Sequence, residues 1–120
     1  MEILANVLVG LVAALHAYIL VMEMFLWQKS PGMRFHGLDA ELARRTAQLA
    51  ANQGLYNGFL AAGLVWGLVA ADPTGFRAQV FFLSCVVVAG VYGAVTANRR
   101  ILFAQALPGA LALAAVLAAR

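Results

Sequence analysis

Apolar residues run along this chain in four long stretches, and polar residues gather in the connections between them. The stretches cover residues of about 3–27, 48–71, 77–97 and 101–119. A helix needs about 20 mostly apolar residues to cross the roughly 30 Å of hydrocarbon in a bilayer. The pattern therefore predicts four membrane-spanning helices and one long polar loop, of about 28–47, on the cytoplasmic side.

The connections indicate how these helices are arranged. The sequence ADPTG predicts a tight turn between the second and third helices, and ANRR predicts another between the third and fourth. Short connections favour antiparallel neighbours, so the expected fold is all-α, an integral membrane four-helix bundle with up-down topology. Pro31 and Gly32 are predicted to end the first helix. Asp39 is a suitable N-cap for a second helix that begins before the bilayer.

Composition supports a membrane protein. Of the 120 residues, 64% are hydrophobic and 11% are charged, and thirteen charges are too few to cover the surface of a soluble domain. We therefore expect residues 1–120 to form a single membrane domain. Cys85 is the one cysteine, which excludes an intrachain disulfide and a cysteine-built metal site.

The basic residues are unevenly distributed between the two sides. Two, Arg77 and Arg120, fall on one side, and six fall on the other, where positive charge marks the cytoplasm. This bias predicts that both termini lie on the outer side. Nucleic acid binding is not expected, because the chain has no separate basic domain and no recognition motif. The six are Lys29, Arg34, Arg44, Arg45, Arg99 and Arg100.

Polar side chains inside the predicted spans fall mainly in the inner half of the bilayer. Counting about 1.5 Å per residue places His16 and Asn57 near the mid-plane and Glu23 about 12 Å from it. All four helices contribute to this layer, so we expect an inner-leaflet pocket with a polar lining. Its members are His16, Glu23, Asn52, Gln53, Tyr56, Asn57, Tyr92 and Gln105.

The second helix carries half of this layer on one arc of about 140° at about 100° per residue. Amides that face lipid leave donors and acceptors unmet, so we expect the whole arc to face inward. Gly54 and Gly58 lie roughly opposite it and form a GxxxG pair, through which a homo-oligomer is predicted. Gly63 and Gly67 are expected to add space next to the pocket. The arc consists of Asn52, Gln53, Tyr56 and Asn57.

Glu23, His16 and Tyr56 are the candidate catalytic residues. An ionisable side chain inside a span is a functional candidate, so Glu23 is predicted to act as an acid or a proton carrier. The alternative is a carboxylate neutralised by Lys29 or by a polar neighbour. His16 is predicted to exchange a proton with the ligand, or else to be a neutral histidine bonded to Asn57 or to a backbone carbonyl.

The remaining polar residues are assigned to ligand binding. Their amides and phenols would orient a ligand, and the alternative is that they join helices to one another. Trp27 is grouped with them, with an anchor at the membrane interface as its alternative role. No metal ligand spacing is present and no cofactor is predicted. This set comprises Asn52, Gln53, Asn57, Tyr92, Gln105 and Trp27.

Three segments of the chain resemble a known family. HAYILVMEMFLW, ANQGLYNGFLAAGLVWG and VYGAVTANRRILFAQALPGALAL are similar to the bacterial membrane family catalogued as domain of unknown function 1304. The resemblance covers nearly the whole chain. It implies a small four-helix protein of the bacterial inner membrane, in contact with the lipid bilayer, and it implies no activity.

Three kinds of function fit these features. The first is an intramembrane acid/base enzyme, of isomerase, cyclase or hydrolase type, acting on a lipophilic small molecule, with Glu23 as the acid and the amides as orienters. The second is a proton-coupled exporter similar to the small multidrug resistance proteins, although Glu23 lies near the end of its helix. The third is a non-catalytic membrane scaffold.

Overall fold

Helices account for nearly all of the chain. The computed structural model describes residues 1–120, and it contains no strand. Helices α1 to α4 cover Glu2–Met24, Ser30–His36, Ala40–Val69 and Thr74–Thr96. A π-helical segment, Leu102–Ala106, then leads into helix α5, Leu107–Ala118. The prediction of an all-α fold is confirmed.

Helix α1 ends three residues earlier than predicted, because the chain turns back on itself before Pro31. The Leu26 carbonyl lies against Gly32 so closely that a Cβ at this position would overlap it. Pro31 stands in the first turn of α2, where its missing N–H costs nothing. The prediction that Pro31 and Gly32 end a helix is therefore wrong, since both residues begin one. Gly37 ends α2 in the left-handed conformation, with φ of 66°.

Helix α3 begins at Ala40, eight residues before the predicted apolar segment. The Asp39 carboxylate accepts a hydrogen bond from the backbone N–H of Leu42 at 2.8 Å. This contact satisfies one of the free donors in the first turn, so the predicted N-cap is confirmed. Part of the region predicted as a loop, about 28–47, is thus helical in α2 and in the first turns of α3.

The π-helical segment has a local cause. Proline lacks an N–H, and its ring clashes with the carbonyl four residues earlier in a regular α-helix. Pro108 stands in the first turn of α5, two residues after the segment, and the Leu107 N–H bonds to the Leu102 carbonyl, five residues back. The last predicted helix, about 101–119, therefore contains a wider turn before α5 begins.

Two helices, Glu2–Met24 and Thr74–Thr96, are long and apolar enough to cross a membrane. Residues 102–118 are a shorter apolar helical stretch. Helix α3 is long enough, but its centre carries the polar residues of the arc. The membrane bundle of four helices stays a prediction.

The chain forms two compact units. The first comprises Met1–Ala14 and Leu60–Arg120, and the second comprises Leu15–Phe59. The core of the first unit includes Val9, Leu64 and Leu83, all fully buried. In the second unit, Ala43, Ala50 and Met22 are buried together with two polar side chains, which are described below.

Glycines in the first unit mark close contacts between helices. Gly63 lies against the ring of Phe82, and Gly67 lies against Gln79, whose amide donates to the Gly67 carbonyl at 2.8 Å. These two glycines were expected to add space, and this expectation is wrong, because each is covered by a side chain of α4. At Gly90, a Cβ would lie 2.7 Å from the backbone nitrogen of Ala106.

We expect Gly90→Ala to destabilise the first unit by about 1–3 kcal/mol, because a methyl group there overlaps the backbone of the π-helical segment. Gly10→Ala is the matched control, since nothing lies within 4 Å of a Cβ at Gly10. Both substitutions gain helix propensity, so their difference isolates the contact. Thermal unfolding in detergent micelles measures it. Equal melting temperatures for the two variants would contradict the close packing.

Candidate functional site

The second unit places a carboxylate and an amide from two helices in direct contact. The Asn57 side chain, on α3, donates from Nδ2 to the Oε1 atom of Glu23, on α1, at 2.7 Å. Glu23 is only 8% exposed. This is a short hydrogen bond to a carboxyl oxygen that is nearly buried, and hydrogen bonds are stronger in such a setting than in water. The contact joins two residues that the sequence analysis had assigned to one pocket.

The packing of α3 against α1 explains why Asn57 faces inward. A Cβ at Gly54 would lie 2.7 Å from the Met24 Cγ and 3.1 Å from the Glu23 Cβ. Gly58 is similarly close to the side chain of Leu20. At about 100° per residue, Asn57 is about 60° from Gly54 on the helix surface, so it belongs to the same contact face.

Gly54 and Gly58 therefore already have a partner inside the chain. Both are in contact with side chains of α1, Met24 and Leu20 respectively. A GxxxG pair permits close helix approach, and here the approaching helix is α1. The homo-oligomer through these glycines stays a prediction, and it would have to use a face that α1 covers.

His16 is the second buried polar residue of this unit. It lies on α1 and is 0% exposed. Seven residues separate it from Glu23, which is about 10 Å along the same helix face. The Asn57 amide nitrogen is directed to Glu23, and both alternatives for His16 stay predictions.

The rest of the polar arc on α3 points outward. Asn52, Gln53 and Tyr56 are all exposed, with Tyr56 at 66%. Asn52 donates to the Gln48 carbonyl at 3.3 Å. The expectation that the whole arc faces inward is wrong for these three residues. The glycine face packs on α1 and brings only the adjacent edge of the arc, Asn57, with it.

Trp27 makes contacts that the sequence did not reveal. Its indole Nε1 donates to the Thr46 hydroxyl at 3.0 Å, and Thr46 donates in turn to the Leu42 carbonyl at 2.7 Å. The His36 ring lies 4.4 Å from the Trp27 ring, centroid to centroid. The sequence did not indicate that Thr46 and His36 contact Trp27. Thr46 is 19 residues from Trp27, so their hydrogen bond depends on how the helices pack and not on neighbouring residues.

Tyr92 and Gln105 belong to the first unit. Gln105 donates to the Val86 carbonyl at 3.3 Å and so joins the π-helical segment to α4. Tyr92 is 71% exposed and lines an open apolar groove of about 530 Å³ on α4, together with Phe81 and Cys85. A second apolar groove, of about 310 Å³, lies over the π-helical segment and is lined by Phe103 and other apolar side chains.

A small polar pocket of about 160 Å³ also lies in the first unit, lined by Glu2, Asp72 and Arg120 among others. The Arg120 guanidinium is 3.6 Å from the Asp72 carboxylate and 4.0 Å from the centre of the Phe76 ring. No three His, Cys, Asp or Glu side chains are grouped so that they could hold a metal ion. The predictions about metals and cofactors stay predictions.

Comparison with known proteins gives two matches. The model of a family described as protein of unknown function (DUF1304) matches residues 10–117. A protein of Lactococcus lactis subsp. lactis (strain IL1403), named uncharacterized protein YpaA, is 31% identical over 119 residues, which is 98% of this chain and 97% of that protein. No solved structure matches. The resemblance predicted from the three sequence segments is confirmed.

We expect Asn57→Leu to lower the free energy of unfolding by about 1–3 kcal/mol, because it leaves the buried Glu23 carboxylate without its donor. Asn52→Leu makes the same substitution at an exposed position of the same helix and is expected to have an effect within about 0.5 kcal/mol. Denaturant unfolding in mixed micelles measures both variants.

A double-mutant cycle tests whether the loss comes from this bond. Replacing both partners, as in Glu23→Leu with Asn57→Leu, removes the charge and the donor together, so we expect part of the stability to return. Equal losses for Asn57→Leu and Asn52→Leu, or additive losses in the double variant, would contradict the contact.

Proposed function

This chain belongs to the DUF1304 family, whose function is unknown, and we propose that it is an inner-membrane protein that binds a lipophilic small molecule at Glu23. The observation that carries the proposal is the short bond between the nearly buried Glu23 carboxylate and Asn57. Intramembrane ionisable residues are costly and mark binding or proton-transfer sites in membrane proteins.

The geometry suggests a division of roles at this site. Asn57 uses one carboxylate oxygen of Glu23 and holds the side chain in one orientation. The second oxygen, Oε2, is then available to a hydroxyl, carbonyl or amine of the ligand. A carboxyl group in this position exchanges a proton with its ligand, which is general acid/base catalysis of the isomerase, cyclase or hydrolase type.

His16 is the proposed second proton-exchanging group. It is fully buried on the same helix, about 10 Å from Glu23. That distance is too long for direct transfer, so a ligand extended along α1 is needed to contact both residues. We propose a molecule with a polar head at Glu23 and an apolar body directed toward His16.

The membrane arrangement proposed is a four-helix bundle with up-down topology and both termini outside. It is supported by the length and apolarity of α1 and α4. It is also supported by the bias of six basic residues to two between the two predicted sides. In this arrangement Glu23, one residue before the end of α1, lies in the inner half of the bilayer.

A non-catalytic scaffold is the second candidate, and the contact at Gly54 favours it. A hydrogen bond between side chains of α1 and α3, next to a close helix contact, also serves to join two helices. An exporter receives less support, because a carboxylate at the end of α1 is poorly placed to reach both sides of a membrane.

We expect native mass spectrometry of mildly solubilised wild-type protein to show a bound lipophilic small molecule. Glu23→Gln should lose it, because the amide keeps the shape of the side chain but can neither carry the charge nor donate a carboxyl proton. Glu41→Gln is the control, since Glu41 is exposed and its partner is Arg44 at the surface. A ligand that remains in Glu23→Gln would contradict the proposed site.

The same measurement separates the two candidates. If wild type and both variants carry only bulk phospholipid and Glu23→Gln is merely less stable, the scaffold is favoured over the binding protein. If a defined molecule is found, its turnover by the wild type and by Glu23→Gln decides whether the site is catalytic. Unchanged turnover in the variant would exclude Glu23 as the acid.

We expect a fusion of alkaline phosphatase to Arg120 to be active in bacterial cells and a fusion of green fluorescent protein at the same residue to be dark. This result follows if the last helix ends on the outer side, as the basic residues indicate. Fusions at Asn98, between Thr96 and the π-helical segment, should give the opposite pattern. Fluorescence at Arg120 would contradict the proposed topology.

A further inference from the structure

Helix α2 folds back beside α1 instead of extending away from it. The Phe35 ring, near the end of α2, packs edge to face on the Tyr18 ring, with centroids 5.8 Å apart. Tyr18 stands six residues before Met24, the last residue of α1, which is about 9 Å along the helix axis. The Phe35 ring therefore lies beside the last turns of α1 and not beyond its end.

Several contacts hold α2 in this position. Gly32 lies against the Leu26 carbonyl, and the His36 Nδ1 atom is 3.1 Å from the Gly32 carbonyl oxygen, to which it donates. The His36 ring also packs on Trp27, which is itself tied to α3 through Thr46. Helix α2 is thus a fixed part of the second unit.

The surface formed by α2 and by Tyr18 of α1 exposes aromatic and positively charged groups. Phe35 is 51% exposed and Tyr18 is 49% exposed. Lys29, directly before α2, and Arg34, within it, are also exposed, and neither forms an ion pair within the chain. Arg44, in contrast, is 2.7 Å from the Glu41 carboxylate. This surface therefore carries two positive charges that have no ion-pair partner within the chain.

This combination matches the boundary between the headgroups and the acyl chains of a bilayer. Aromatic side chains are enriched at that depth, and each Lys or Arg near an anionic surface adds about 1 kcal/mol of attraction. Because the Phe35 ring packs on Tyr18, within α1, it lies on the acyl-chain side of the end of α1 when α1 spans the membrane. Lys29, at the start of α2, then lies nearer the phosphates.

We propose that α2 is an interfacial helix that binds anionic phospholipid, with Lys29 and Arg34 contacting the headgroup and Phe35 and Tyr18 contacting the acyl chains. The proposal rests on the membrane location given under Proposed function. It does not depend on a ligand at Glu23. It assigns the occupant of this face to lipid and not to a soluble phosphate compound or another protein.

Fluorescence quenching by brominated lipids tests this proposal at Trp27, which packs on His36 of α2. The full chain with Trp66→Phe, which leaves Trp27 as the only tryptophan, is reconstituted in phosphatidylcholine vesicles containing one-fifth phosphatidylglycerol. Bromine is placed on one lipid species at a time. At equal mole fraction, we expect brominated phosphatidylglycerol to quench Trp27 several-fold more than brominated phosphatidylcholine.

The variants separate a specific site from general attraction. Lys29→Gln with Arg34→Gln should reduce this preference to about that of the bulk lipid, whereas Arg44→Gln, which changes the charge of an arginine already paired with Glu41, should leave it unchanged. Phe35→Ser should lower quenching by both lipids alike, because the ring no longer holds α2 at depth. Millimolar inorganic phosphate should not alter any of these values.

Other outcomes would overturn the proposal. Equal quenching by the two lipids in vesicle-bound protein contradicts it while leaving the membrane location intact. Equal loss of preference in Arg44→Gln and in the double variant also contradicts it, since the effect is then one of net charge. Competition by phosphate assigns the face to a soluble anion. Protein that fails to float with the vesicles contradicts the membrane location and this proposal together.

Discussion

The close contact of α1 and α3 at Gly54 is the constraint on which the second unit depends. A Cβ at this position would lie 3.2 Å from the Leu20 carbonyl and still closer to Met24, so glycine permits an approach that a larger residue would oppose. The approach sets the rotation of α3 about its axis. That rotation brings Asn57 onto the Glu23 carboxylate and turns Asn52 and Tyr56 outward. The hydrogen bond of Asn57 and the close packing at Gly54 are therefore linked, because both residues lie on the face of α3 that contacts α1.

Features determined by neighbouring residues could be predicted from the sequence. Apolar stretches identified the helical regions, and the Asp39 cap follows from the preference of a carboxylate for free N–H groups. Proline is common both just after the end of a helix and in the first turn of a helix. Pro31 was assigned to the first of these positions, and it occupies the second. The deciding contact, Leu26 with Gly32, depends on how the chain turns.

The candidate site was only partly predictable for a similar reason. Composition identifies Glu23 and His16 as exceptional residues in an apolar helix, and both are buried. Composition does not show which side of α3 meets α1, since the partner of Asn57 lies 34 residues away. On α3, either the arc of polar residues or the pair of glycines could face α1. The glycines face α1 because close packing gains many dispersion contacts, and of the polar arc only Asn57 is brought into the contact, where it is half-buried.

Three amides in this chain join one helical segment to another, and a comparison among them shows why Glu23 stands apart. Gln79 donates to the Gly67 carbonyl, and Gln105 donates to the Val86 carbonyl. Both contacts join helices with neutral partners and need no ionisable side chain. Asn57 makes the same kind of contact, but its acceptor is a carboxylate. A neutral acceptor at position 23 would join α1 to α3 at a lower desolvation cost. Joining the two helices does not require a carboxylate at position 23. The presence of an ionisable group there is therefore better explained by a function than by the stability of the fold.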